Sequence, residues 1–210
     1  MKKPHRFNQI TNMKNYGKFF ALPAFAAALL AASGCCFSRT PATLYTLDAD
    51  VPADFGPLPS GTFSEIAFAR VSVPDYADVP QIVTRTGENT VARAETRLWA
   101  EPLARAVRRA VPVQVSKLLR GKKTRVVESV SVYVDRLDGA LDGEVRIDAQ
   151  IVIRAKGADE KSASLAYDFS KSVPLPAATS ADARYANYVK GVSAAVFALS
   201  EAVAGHLEEK

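Results

Sequence analysis

Histidine and cysteine are nearly missing from this chain, with two of each among 210 residues. The cysteines, Cys35 and Cys36, are adjacent, so no disulfide staples a folded domain and its stability must come from the core. His5 sits in the basic N-terminal stretch and His206 four residues from the C-terminus. A Ser–His or Cys–His nucleophile pair therefore has almost nothing to draw on, and a metal site would have to be all carboxylate. Asp135, Asp138, Asp142 and Glu144 are the densest carboxylates, but their spacing is not that of an EF-hand loop, and aspartates in a turn have a sufficient structural reason. No internal repeat, phosphate-cradling Gly-rich loop or Gly-x-Ser-x-Gly elbow is present. The reading is of a non-enzyme, with no catalytic residue and no metal.

Negative charge is missing from the first 34 residues, where Lys2, Lys3, Arg6, Lys14 and Lys18 supply the whole net charge of +5. What remains is neutral, at 22 Lys and Arg against 22 Asp and Glu. That balance removes the electrostatic case for nucleic acid. Arg105, Arg108 and Arg109, then Arg120, Lys122, Lys123 and Arg125, make a local basic cluster that reads as a solvated helix face and its end.

The basic stretch leads into an apolar run, Phe19 to Ala32, followed by Ser33-Gly34-Cys35. At 14 residues the run is short of the ~20 needed to span a bilayer. Small residues and then a cysteine are what a secretion signal with a lipobox requires. Cys36 would have a cysteine before the cut, so Cys35 is the expected lipidation site. Residues 1–34 are then a cleaved signal peptide, 35–43 a lipidated tether and 44–210 the folded domain. Acyl chains such as palmitate on Cys35, at ~0.8 kcal/mol per buried methylene, would anchor the protein to a membrane, and no other cofactor is expected. Residue 36 is not aspartate, which favours the periplasmic face of the outer membrane. A tether of about ten residues reaches roughly 35 Å, so the domain stays near that membrane.

Beyond the tether, Thr43–Leu47 and Ile66–Val73 are strand candidates on either side of a Pro/Gly/Asp-rich loop, Asp48–Gly61. Gln81–Arg85 and Thr90–Ala94 flank a hairpin turn, Thr86-Gly87-Glu88-Asn89. Trp99, Leu103, Val107, Val111, Val115 and Leu118 recur at helical spacing, with Pro102 in the first turn and Gly121 at the end. Pro112 inside that helix predicts a kink or break, at a cost of ~3 kcal/mol. Val130, Val132 and Val134, then Val145 to Ile153 in strict alternation, then Leu165, Tyr167 and Phe169 predict an antiparallel meander with one wet face. Tyr185, Tyr188, Val192, Val196, Leu199, Val203 and Leu207 mark a long C-terminal amphipathic helix. The expected fold is a single α+β domain, a mixed, largely antiparallel sheet covered by two amphipathic helices.

Three blocks carry a family resemblance: Tyr45-Thr46-Leu47; Val73-Pro74-Asp75-Tyr76-Ala77-Asp78-Val79-Pro80-Gln81-Ile82-Val83-Thr84-Arg85; and Leu98-Trp99-Ala100-Glu101-Pro102-Leu103. Together they resemble the auxiliary lipoproteins of ABC-type and MCE-type transporters, the PqiC/YmbA-like group. Ala77 and Val79 depart from the family pattern, as does Pro112. The resemblance implies a non-catalytic component of a lipid or hydrophobic-compound transport system. Its implied partners are a periplasmic MCE-domain protein with an inner-membrane permease and ATPase, and a homo-oligomer is compatible with a channel that surrounds its cargo. A lipoprotein that cannot bridge the envelope would dock the far end of an MCE assembly at the outer membrane. Tyr76, Gln81, Arg85 and Trp99, from the family-like blocks, are the candidate partner contacts, because Tyr, Trp and Arg dominate interfaces. Trp99 also has a plain core reading. The competing functions are a lipid-carrying shuttle with its own cavity, and a structural lipoprotein for outer-membrane assembly.

Overall fold

The computed structural model describes residues 41–48, 50, 52, 66–157 and 164–209. The expectations for residues 1–40, Cys35 and its lipid included, lie outside them, as does most of the Asp48–Gly61 loop. Among these described residues seven strands and two helices follow in the order β1 (Thr43–Tyr45), β2 (Phe68–Ser72), β3 (Gln81–Gly87), β4 (Thr90–Trp99), α1 (Leu103–Leu118), β5 (Val127–Gly139), β6 (Glu144–Ala155), β7 (Ser164–Pro174) and α2 (Ala181–Leu207). The fold is α+β, within one compact unit that begins at Pro41. No described helix is long and apolar enough to cross a membrane.

The meander is built as its alternation requires. Val145, Ile147, Ala149, Ile151 and Ile153 of β6 are buried, as are Val130, Val132 and Val134 of β5, while Asp148, Gln150 and Arg154 face out. Each such Val or Ile contributes ~1.5–3 kcal/mol by leaving water. α2 packs on this inner face against β5, β6 and β7, and α1 packs against α2 and β2. α2 starts at an N-cap, where the Ser180 hydroxyl accepts from the Ala183 N–H at 3.2 Å, and buries Tyr188, Val192, Val196, Leu199, Val203 and Leu207. A buried polar contact joins the helices, with the Ser200 hydroxyl donating to Gln114 Oε1 at 2.8 Å.

The strands divide over two sheets rather than lying in one, in the orders β1-β4-β3 and β2-β5-β6-β7. Both unforeseen pairings, β1 with β4 and β2 with β5, are parallel. Each joins segments more than fifty residues apart, so local periodicity carries no trace of it. In the hairpin, two steps along β3 (Gln81 to Val83) match five along β4 (Arg93 to Leu98), a broad irregularity that bends the pair.

Two helix expectations are corrected. Trp99 does not head the helical stripe; it ends β4, 7% exposed, and its N–H donates to the Pro80 carbonyl at 2.7 Å. Pro102 forces the residue before it out of the helical region, so the helix cannot reach back to Trp99. Pro112 does not break α1, which runs through it. Val107, Ala110, Val111 and Val115 are wholly buried, and that packed face outweighs the lost hydrogen bond.

Candidate functional site

The three family-like blocks, separated in sequence, form one connected substructure. Tyr45 of β1 is in register with Trp99 of β4, and the Ala100 N–H donates to the Tyr45 carbonyl at 2.8 Å. Gln81, half-buried at the start of β3, pairs with Leu98. The α1 N-terminus has no side-chain cap of its own. Asp78 supplies it from the loop, its Oδ1 accepting from the Ala104 N–H at 2.9 Å. A carboxylate at a helix N-terminus also meets the positive end of the helix dipole.

At the centre is Asp138, the penultimate residue of β5 and 0% exposed. Tyr76 Oη donates to its Oδ2 at 2.8 Å. Arg85 donates from Nε to Oδ1 at 2.9 Å and from Nη2 to Oδ2 at 2.6 Å, the bidentate fork that makes arginine–carboxylate pairs strong. Arg136 Nε adds a third partner at 3.0 Å. Arg85 also reaches the hairpin turn, Nη1 donating to the Glu88 carbonyl at 2.7 Å. Tyr188 of α2 donates to the Val83 carbonyl at 2.7 Å. One carboxylate thus ties the 73–80 loop and the β3–β4 hairpin to the end of β5, and a buried phenol ties β3 to α2.

The electrostatics are those of a clamp. Burial pushes the Asp138 carboxyl up, but the donors of Arg85, Tyr76 and Arg136 together outweigh it and hold it below its ordinary value. Burial, and then the bond to Asp138, push the Tyr76 phenol up to about 12. Burial also pushes Tyr188 up, and the Asp138 hydrogen bond raises Arg85 further. At neutral pH Asp138 is charged and both tyrosines stay protonated, so these groups hold position and do not exchange protons.

Of the candidate contacts, Tyr76 and Arg85 meet on Asp138, Gln81 lies at the strand start beside Leu98, and Trp99 is in the core. Asp138 itself is not the turn aspartate the sequence suggested. Its partners Arg85 and Tyr76 are 53 and 62 residues away, and no local pattern marks it. The other carboxylates of that group diverge: Asp142 accepts from Arg184 at 3.0 Å and Glu144 from Ser172 at 2.9 Å. Among the described residues no three His, Cys, Asp or Glu side chains converge as a metal site would need.

Fold and clamp define a small α+β scaffold whose buried charge fixes loops in place. The chain belongs to the family of ABC-type transport auxiliary lipoprotein components, whose model matches residues 45–204. No curated protein matches it. Among solved structures, a crystal structure of an uncharacterized protein is similar at TM-score 0.57 and 20% identity, covering 79% of this chain and 98% of that one. Protein XCC0632 from Xanthomonas campestris is similar at TM-score 0.55 and 15% identity, covering 79% and 96%. At these identities the likeness concerns the fold alone.

Proposed function

We propose that this protein is a lipoprotein of the outer membrane, facing the periplasm, which docks the far end of an MCE-type assembly and so assists intermembrane transport of lipid or another hydrophobic compound. The observation that carries the reading is the family match beginning at residue 45, ten residues after a cysteine set in a lipobox. Residues 1–34 act as a cleaved signal, acyl chains on Cys35 as the anchor, residues 35–43 as the tether and 44–210 as the docking domain. The role is non-catalytic and independent of nucleic acid, which agrees with the neutral domain and with a central polar cluster that does not titrate near neutrality. The partners are a periplasmic MCE-domain protein and, through it, a permease and ATPase.

Co-purification of a tagged, lipidated form from membranes, with mass spectrometry of protein and lipid, tests the partner. Recovery of no MCE subunit would refute docking. Fractionation of Cys35→Ser tests the anchor, and unchanged membrane association would remove it.

One observation favours the shuttle as a second reading. A groove of about 730 Å³ lies between the segment after β1 and α2, with Val189, Ala194 and Phe197 among its lining residues, a size typical of ligand clefts. A shuttle retains extractable lipid in the purified protein, whereas a docking module retains none.

A further inference from the structure

β2 is an edge strand. Among the described residues it is hydrogen-bonded on one side only, to β5. Its other edge borders a groove of about 480 Å³ whose walls are Phe68–Ser72 of β2 and Arg108 and Pro112 of α1. A free strand edge offers a row of unpaired N–H and C=O groups.

The groove has a sign. Arg70 and Arg108 flank it from opposite sides, Arg108 on α1 and Arg70 on the outer face of the sheet, away from the buried Val71; both are exposed, and Arg105 lies one turn earlier on α1. Neither Arg70 nor Arg108 is ion-paired to a described carboxylate, unlike Arg85, Arg109 and Arg136. The Arg70 guanidinium rests over the Tyr133 ring, 5.7 Å from its centroid, which holds it near the strand. Pro112 has no N–H for the Arg108 carbonyl, so the helical wall presents an acceptor without its usual i+4 donor.

From these features we infer that the β2–α1 groove takes up an extended, acidic segment of a partner polypeptide, which adds to β2 as a further strand and sets its carboxylates against Arg70 and Arg108. Strand addition takes affinity from the backbone ladder and specificity from side chains. A phosphate headgroup would use the guanidiniums but leave the strand edge unanswered, and a helix could not answer it at all. An extended chain satisfies both features. The inference deepens the docking reading and rests on it only for the identity of the polypeptide.

The test is a fluorescence-anisotropy titration of the full chain in detergent with a short labelled peptide of Glu-Glu-Val-Val repeats, which puts carboxylates on both faces of an extended chain. Saturable binding is expected, weakened about tenfold or more by Arg70→Glu combined with Arg108→Glu. Both residues are exposed, so the thermal melt should fall by no more than the loss of the Arg70–Tyr133 contact, about a few degrees. A peptide N-methylated at alternate residues cannot pair with an edge and should lose binding to a similar extent. Absence of saturable binding would overturn the inference. So would full binding of the N-methylated peptide, or displacement of the peptide by short-chain phosphatidylglycerol with the same arginine dependence. No MCE protein takes part, so a failure here leaves the co-purification result to stand or fall by itself.

Discussion

The β5–β6–β7 meander and the β1-β4-β3 sheet differ in what holds them. The meander rests on a face of buried Val and Ile covered by α2. The smaller sheet buries Ile82, Val83 and Trp99 at its base but carries an exposed hairpin tip, Thr86–Arg93, and its further fastening is polar, through Asp138 and Tyr188. Apolar burial is non-directional and spread over many residues. A polar clamp is directional and concentrated in a few. Damage to the first should be global, and damage to the second local.

Ile147→Ala, in β6 and 0% exposed, should cost about 3–4 kcal/mol and lower the single thermal transition of the whole domain. Asp138→Ala leaves two guanidiniums without their acceptor, but the Arg85 and Arg136 side chains are 24% and 32% exposed and can rehydrate. The expected loss is therefore about 2 kcal/mol. In hydrogen exchange it should open β3, β4 and the 73–80 loop first and leave β5–β7 protected. Equal deprotection of both sheets would erase the distinction.

Acid should reproduce the same local opening. The Asp138 carboxyl is held below its ordinary value in the folded state, so its contribution is fully present above the unfolded value of about 4 and is lost as pH falls through the folded one. Hairpin protection in the wild type should decline on acidification below about pH 4 and stay flat across neutrality. Asp138→Asn should start lower and show less of that decline.

Tyr76→Phe removes one hydrogen bond to a charged acceptor while keeping the ring, and should cost about 1.5 kcal/mol. Loss of partner binding by this variant with its fold intact would show Tyr76 acting beyond the clamp. The smallest effect belongs to Asp78→Ala. The cap it removes is exposed and worth about 0.5–1 kcal/mol, measurable as fraying at Leu103–Ala106 of α1.

Legibility in the sequence follows the same division. The alternation from Val145 to Ile153, the valines of β5 and the heptad-like spacing of α2 are periodic signals that one face must be buried, and the helices, meander and α+β class follow from them. The β3–β4 turn is marked by its composition. Nothing local announces that Tyr45 pairs with Trp99, that Val71 pairs with Val132, or that Arg85 and Tyr76 share Asp138, because each of these contacts closes a loop of more than fifty residues. The resemblance blocks contained Tyr76, Asp78 and Arg85 without revealing why they belong together. The spacing of Trp99 to Leu103 is helical, yet Pro102 between them ends the strand that carries Trp99 before the helix begins.

The brevity and direction of β1 have a mechanical consequence. It is three residues long and runs parallel to β4, so tension arriving along the chain from the N-terminal side falls first on that short ladder and on the Ala100–Tyr45 bond. Releasing it would lengthen the leash by about 3.3 Å per residue freed while the meander, loaded only through later connections, keeps its shape. Optical-tweezer extension with one handle at Pro41 should register this as a small step well below the force of global rupture, giving the module slack before it gives way.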